Sequence, residues 1–206
     1  MKNIKNLERG MGIGGWLTNY KRFNVLRQEL RLKITVGDME HFESYITEKD
    51  IEYIASLGMD HIRLGFDQIV IEEESYRYRK EIIDILHQFV AWCEKYNLRP
   101  ILNLHKAIGN YCDIPEEKGL MQDKELQNRF IALWQLLEDE FSDNNEVAFE
   151  LLNEVLNATA EEWNSLAERT INAIRAVDKE RLIIVGGIDW NNPSGLDKLK
   201  VYEDEN

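Results

Sequence analysis

Hydrophobic and polar positions along the chain alternate between two spacings. Long stretches with an apolar residue every third or fourth position are typical of amphipathic helices. Between them lie short apolar runs of the kind that form buried strands, at residues 11–16, 61–66, 99–105, 146–154 and 181–187. Strands that alternate with helices predict an α/β fold with right-handed βα crossovers and a parallel sheet.

Four amphipathic stretches are predicted as helices, at residues 46–58, 78–97, 124–141 and 159–178. Two of them begin with a capping signal, because Thr47 is followed three residues later by Asp50, and Thr159 by Glu162. The segment 17–44 has mixed charges and no clear period, so no helix or strand is predicted there.

The spacing of the strands indicates which α/β fold this is. Successive strands begin roughly 35 to 50 residues apart, and eight such units need roughly 320 residues, as in an eightfold (β/α) barrel. The 206 residues hold five units. We therefore predict the first five βα units of a TIM-type (β/α)8 barrel, a partial barrel forming a single domain over residues 1–206. A nucleotide cofactor is not expected, because no Gly-x-Gly-x-x-Gly motif and no Walker loop is present.

The stretch Glu-Leu-Leu-Asn-Glu-Val-Leu at residues 150–156 is ambiguous by itself, since it is rich in good helix formers. Its surroundings favour a strand. A turn-rich cluster precedes it at residues 142–146, and the cap at Thr159 begins the next helix. The short interval suits a strand with a βα loop. Glu154 is thus predicted at the carboxyl end of the fourth strand, where barrels of this kind carry the active site.

Polar residues also mark the other predicted strands. Arg63 lies in the second strand, His105 closes the third, and Asp189 and Trp190 follow the fifth. Arg63, His105 and Glu154 each have an alternative, purely structural interpretation. Arg63 suits a structural ion pair, His105 a contact with loop backbone, and Glu154 a solvated cap.

Composition limits which binding partners and which cellular location are expected. The formal net charge of −13 argues against nucleic acid and anionic membranes, and no run of 18 apolar residues is present. The N-terminal stretch 1–10 lacks the apolar core of a signal peptide. A cytoplasmic location is expected, or secretion if a leader has been removed. The four histidines show no ligand spacing, so no metal site is predicted.

Four motifs together resemble glycoside hydrolase family 5, nearest to clostridial-type cellulases and mixed-linkage β-glucanases without large appended modules. They are GGW at 14–16, ITEKDIEYIASLGMDHIRLGFD at 46–67, NLHKAIGNY at 103–111 and AFELLNE at 148–154. The resemblance implies a retaining hydrolase of β-1,4 or mixed β-1,3/1,4 glucans or gluco-oligosaccharides on an eightfold barrel, with no cofactor.

Four residues match functional positions of that family. The resemblance implies that Glu154 is the general acid/base and that Asn153 binds the sugar 2-hydroxyl. It implies that Arg63 positions the nucleophile and that His105 lines the sugar subsite at the point of cleavage. Retaining hydrolysis requires two carboxyl groups, one as acid/base and one as nucleophile, which agrees with these residue types.

Aromatic residues at a barrel mouth can stack on sugar rings, and Trp16 and Trp190 are the candidates. Burial in the core is the alternative for either ring. The chain departs from the family pattern in the loop after the third strand, where Asn103 and Ile108 replace the usual Asp and Pro. The shape of that loop is therefore expected to differ.

A larger departure concerns the nucleophile, which the family carries as a Glu at the end of a seventh strand. No counterpart occurs here. Glu203, Asp204 and Glu205 follow the fifth βα unit, and they are predicted as a solvated end or the approach to a sixth strand. The chain is thus expected to be an incomplete, inactive form. The alternative is a non-catalytic half-barrel that self-associates, or is completed by a second chain, and at most binds oligosaccharide.

Overall fold

A computed structural model describes residues 7–18, 36–110, 119–202 and 204. The predictions for Glu203 and Glu205, and for much of the segment 17–44, lie outside these residues. The described residues divide into two compact units, one up to Leu102 and the other from Asn103. The single domain predicted from the sequence stays a prediction.

In its described residues, the N-terminal unit contains two parallel strands, a short hairpin, four helices and the start of a further strand. The elements are β1 (Gly10–Leu17), α1 (Val36–Ser44), α2 (Glu48–Ser56), β2 (His61–Asp67), α3 (Gln68–Ile71), β3 (Glu72–Glu74), β4 (Arg77–Tyr78), α4 (Lys80–Lys95) and the start of β5 (Arg99–Lys106). Strands β1 and β2 are parallel, with Gly10 opposite His61 and Ile13 opposite Leu64. The hydrogen-bonded order in this unit is β1-β2-β5.

Helices α2 and α4 cover the core of this unit with the faces that their periodicity predicts. Ile51 and Ile54 of α2 are buried, and so are seven residues of α4. The backbone N–H and hydroxyl of Thr47 both donate to Asp50. These bonds hold the pKa of the Asp50 carboxyl below its ordinary value. The predicted start of α2 is thereby confirmed.

The C-terminal unit continues the strand and helix alternation. Its elements are the end of β5, α5 (Lys124–Phe141), β6 (Ala148–Glu150), α6 (Ala160–Arg175), β7 (Ile183–Ile184), α7 (Ile188–Asn191) and α8 (Pro193–Leu196). The hydrogen-bonded order is β5-β6-β7, and β6 is parallel to β7 with Glu150 opposite Ile184. The capping box at Thr159 is present, as predicted, with the hydroxyl accepting from Glu162 N at 3.2 Å.

Three elements differ from the sequence-based expectation. Helix α1 occupies part of the segment for which no element was predicted. Strand β6 ends at Glu150 instead of Glu154. Strand β7 holds only two residues and stops before Gly186 and Gly187. At Gly187 the backbone of Gly195, in the short helix Pro193–Leu196, approaches so closely that an added Cβ would lie 2.7 Å from it. The strand ends before this close approach.

The helices of the described residues are all too short or too polar to cross a lipid bilayer.

Candidate active site

The loop after β5 begins with a tight turn. Asn110 N donates to Ala107 O at 3.0 Å, which closes a four-residue turn with Gly109 in its third position. Gly109 has a φ of +82°, the value that a type II turn requires there and that glycine adopts without strain. Ile108 takes the second position, where proline is common in such turns. The departure at residue 108 is thus compatible with a defined turn.

Glu154 lies in a bend that extends the line of β6. Asn153 N donates to Leu104 O of β5 at 2.9 Å, so the ladder to β5 continues past the last strand residue. One residue beyond Glu154, Val155 forms a parallel bridge with Ile188. Glu154 is therefore held at the carboxyl end of β6 by pairing on both sides.

Two asparagine side chains also bind the backbone of this bend. Asn110 Nδ2 donates to Glu154 O at 2.6 Å, and Asn110 Oδ1 accepts from Leu156 N at 3.0 Å. Asn191 Nδ2 donates to Asn153 O. Neither asparagine received a role from the sequence, because Asn is common in turns and nothing in the periodicity marks these two. The Gly-Asn pair directly after a strand end is the one local signal that could have indicated Asn110.

His105, Asn153 and Glu154 are all partly buried, so each side chain keeps some access to solvent. The bond from Asn153 N to Leu104 O brings the residues after β6 to the strand position next to His105. Asn103, two residues before His105 on the same face of β5, is fully buried. Its two amide atoms have no hydrogen-bond partner among the described residues. The C-terminal unit thus gathers three of the predicted site residues at neighbouring strand ends.

Trp190 lies in the short α7, whose backbone departs from helical geometry. Asp189, Trp190 and Asn191 have φ values of 56°, 58° and 57°, so three consecutive residues are left-handed. Such conformations are costly for residues other than glycine and persist where surrounding contacts hold them. The bond from Asn191 to Asn153 O is one such contact. The side chain of Trp190 is 58% exposed, as a sugar-stacking ring requires.

Arg63 and Trp16 belong to the N-terminal unit. Arg63 lies in β2 opposite Gly12 and is partly buried. A Cβ on Gly12 would meet no atom within 4 Å, so the backbone beside Arg63 borders open space. This position suits a functional arginine, and its role stays a prediction.

Trp16 occupies the core, which was the alternative for this ring. It is 1% exposed, its indole N–H donates to Phe42 O at 2.7 Å, and its ring packs edge-on against Phe89. A ring buried in this way presents no face to a sugar. Of the two expectations for Trp16, burial in the core is therefore the one that the structure shows.

The tail places Asp204 in a structural ion pair. Arg175 Nε and Nη2 donate to its two carboxylate oxygens at 2.6 and 2.8 Å. Both side chains are largely buried. A carboxylate engaged on both oxygens is poorly suited to attack a sugar carbon. Of the two expectations for the tail, the solvated end is wrong for Asp204, because Arg175 draws its carboxylate into this ion pair. Among the described residues there is no group of three or more His, Cys, Asp or Glu side chains that would hold a metal ion.

Parallel strands joined by helices, with polar residues at the strand ends, are typical of enzymes of the α/β class, which includes the (β/α) barrels. Residues 21–205 match the family model described as cellulase (glycosyl hydrolase family 5). The chain belongs to glycosyl hydrolase family 5, and the resemblance drawn from its motifs is confirmed.

Two curated relatives indicate the extent of the match. Endoglucanase C of Acetivibrio thermocellus is 34% identical over 203 residues, which cover 97% of this chain and 55% of the relative. Cellodextrinase A of Ruminococcus flavefaciens is 28% identical over 210 residues, which cover 100% of this chain and 57% of the relative. The chain thus spans a little over half the length of these relatives.

Solved structures agree on the fold. Thermotoga maritima Cel5A in complex with mannotriose superposes with a TM-score of 0.74 at 26% identity, covering 98% of this chain and 58% of that one. The cellobiose complex of the same enzyme gives 0.73 at 27% identity, covering 97% and 57%. These neighbours are (β/α)8 barrels, so the predicted fold class, the barrel type represented in part, is confirmed.

Proposed function

We propose that this chain provides the acid/base half of a retaining glycoside hydrolase acting on β-1,4 or mixed β-1,3/1,4 glucans. The observation that carries the proposal is Glu154, partly buried and held at the carboxyl end of β6 beside Asn153. Membership of a family of cellulases supports the reaction class, and the named relatives, an endoglucanase and a cellodextrinase, support the substrate class.

In the proposed reaction Glu154 first donates a proton to the leaving glycosidic oxygen and then accepts one from the attacking water. A retaining enzyme needs its second carboxylate about 5 to 5.5 Å from the first. We propose that this nucleophile is none of the described carboxylates and that the 206-residue chain alone is inactive. Arg63 is proposed as the cation that keeps the nucleophile ionised, because an adjacent positive charge favours the carboxylate form.

The remaining residues are proposed to bind the sugar. The Asn153 amide suits a hydrogen bond to the 2-hydroxyl, a contact that strengthens as the transition state forms. His105, one strand away, is proposed to line the same subsite. Trp190, with its exposed ring, is proposed as a stacking surface for a neighbouring sugar. No nucleic acid, membrane or cofactor is proposed as a partner.

The test is the variant Glu154→Gln in the natural full-length protein that carries this chain. Reducing ends released from carboxymethyl cellulose, soluble mixed-linkage β-glucan and β-mannan would be measured, the last because the related Cel5A was crystallised with mannotriose. Loss of nearly all activity on the glucans is expected. Activity equal to that of the parent protein would refute the assignment of Glu154.

A second candidate function is a non-catalytic half-barrel that self-associates or pairs with a second chain and binds oligosaccharide weakly. The expectation that the family's nucleophile has no counterpart in these 206 residues motivates it. Sedimentation and a reducing-sugar assay on the 206-residue chain separate the candidates. A dimer without turnover supports this candidate, whereas a monomer that hydrolyses glucan excludes it.

A further inference from the structure

We infer that Asn110 is a positioning residue for the acid/base, an inference that rests on the proposed function of Glu154. The Asn110 side chain forms two hydrogen bonds with the bend, to Glu154 O at 2.6 Å and from Leu156 N at 3.0 Å. These two bonds resemble those that a neighbouring strand would form, and they span residues 154–156. Asn110 binds the carbonyl of Glu154 itself, whereas Asn191 binds the carbonyl of Asn153.

Burial makes these two bonds persistent. Asn110 is only 4% exposed, so water does not readily replace either partner. The turn closed from Ala107 to Asn110 fixes the backbone from which the side chain projects. Leu120 N donates to Gly109 O at 3.0 Å and ties the same turn to the chain before α5. The Asn110 clamp, meaning this side chain and its two hydrogen bonds to the bend, therefore projects from a rigid turn.

The position of the clamp along the chain suits orientation of a catalytic group. Asn153 N is held by Leu104 O, and Val155 is paired with Ile188, so both neighbours of Glu154 are anchored. Asn110 adds the carbonyl of Glu154, which leaves the side-chain torsions as the main remaining freedom. A displacement of about 1 Å in a reacting group can cost roughly a hundredfold in rate. The clamp restricts that displacement without contacting substrate.

The chain contains a matched control for this arrangement. Asn164 of α6 also bridges two backbone groups two residues apart, donating to Lys198 O and accepting from Lys200 N, each at 3.0 Å. The chemistry and spacing equal those of Asn110, but the clamped segment carries no proposed site residue. Asn164→Ala therefore removes the same kind of bond pair, together with the bond that Asn164 Oδ1 accepts from the Tyr202 hydroxyl at 3.2 Å, from a partly buried site that does not contact the Glu154 bend.

The experiment measures kcat, KM and Tm of the natural full-length protein on soluble mixed-linkage β-glucan. Variants are Asn110→Ala, Asn164→Ala and Asn110→Asp, the last of which keeps the acceptor for Leu156 N and loses the donor to Glu154 O. We expect both Asn110 variants to lose roughly ten- to hundredfold in kcat, with KM changed by less than about threefold. Asn164→Ala is expected to retain kcat within about twofold although its Tm falls.

The positioning role is overturned if both Asn110 variants keep the kcat of the parent protein, or if Asn164→Ala loses as much kcat as they do. In either case the proposed function still stands, provided that Glu154→Gln is inactive. Absence of turnover in the parent protein, or full turnover in Glu154→Gln, overturns the proposed function and this inference together. Asn110→Asp keeps the side-chain volume, so its kcat remains informative if Asn110→Ala fails to fold.

Discussion

The guanidinium of Arg181 and the carboxylate of Glu138 form a two-bonded ion pair inside the C-terminal unit, with both N···O distances at 2.9 Å. Neither side chain is exposed to solvent. Arg181 donates further bonds to the carbonyls of Phe141, Asn144 and Val147. A single arginine thus joins the end of α5 to the segment that leads into β6, the strand that precedes the bend at Glu154.

Arg181→Met is expected to destabilise the protein by about 3 to 5 kcal/mol, because Glu138 would remain buried without its counter-charge. Urea denaturation followed by circular dichroism gives the free energy of unfolding. Lys200→Ala is the control, since Lys200 pairs with Glu168 at an exposed site and such pairs contribute about 1 kcal/mol or less. A loss in Arg181→Met no larger than in the control would contradict the structural role.

The capping box of α6 offers a conservative pair of variants. Thr159→Ala removes the hydroxyl that accepts from Glu162 N and is expected to lower the free energy of unfolding by about 1 kcal/mol. Thr159→Ser keeps the hydroxyl and should stay close to the parent protein. The same urea titration measures both, and equal losses would show that the cap contributes nothing.

A pH-dependent contribution to stability is expected from Glu48. Hydrogen bonds from Lys95 and from the Tyr96 hydroxyl, the latter at 3.0 Å, hold the pKa of the Glu48 carboxyl below its ordinary value. Because the pKa is lower in the folded state, the stabilisation is complete above the unfolded value of about 4.3 and disappears as the pH falls through the folded value.

The measurement compares urea midpoints of the parent protein and Glu48→Gln from pH 7 down to pH 2. The parent should be the more stable protein at pH 7, and the difference should vanish at the acidic end. Glu48 and Lys95 are both partly exposed, so 1 M NaCl should reduce the difference at pH 7. A difference independent of pH would rule out the ionised carboxylate as its source.

Substitution of the exposed Trp190 should affect substrate binding, whereas substitution of the buried Trp16 should affect stability. Trp190→Ala is expected to raise KM for β-glucan about three- to tenfold, since a stacked ring contributes on the order of 1 kcal/mol. Its Tm should change little because the ring is exposed. Tyr53→Ala, which removes another exposed aromatic ring, is the control and should leave KM unchanged. An unchanged KM in Trp190→Ala would exclude the stacking role.

Trp16→Ala is expected to lower the free energy of unfolding by about 3 to 5 kcal/mol, as for other buried large-to-small replacements. The variant also leaves the carbonyl of Phe42 without its indole donor. Urea denaturation measures the loss. A stability equal to that of the parent would mean that the ring is not part of the core.

Helices were predicted more accurately than strands. Helix α5 begins at Lys124 and ends at Phe141, the two bounds that the apolar spacing predicts. Both capping boxes are likewise where the sequence indicates. Helix bounds follow from residues within a few positions of one another, which the sequence contains directly. The lengths of β6 and β7 depend on neighbouring strands that are distant in sequence and, for β7, on the close approach of α8 at Gly195.

The candidate site divides in the same way. The order of motifs indicated the family and pointed to Glu154, Asn153, His105 and Arg63. The burial of Trp16 could not be deduced, because it depends on Phe42 and Phe89 from two later helices. The roles proposed for these residues remain predictions.

By itself the sequence determined the alternation of strands and helices, the helix starts and the family, since periodicity, caps and strand-end motifs are local or ordered along the chain. Only the tertiary structure decided which polar residues hold the bend at Glu154. Asn110 and Glu154 are 44 positions apart, and their hydrogen bond exists because two βα loops end at the same edge of the sheet. The pairing of Arg181 with Glu138, 43 positions apart, has the same origin in packing.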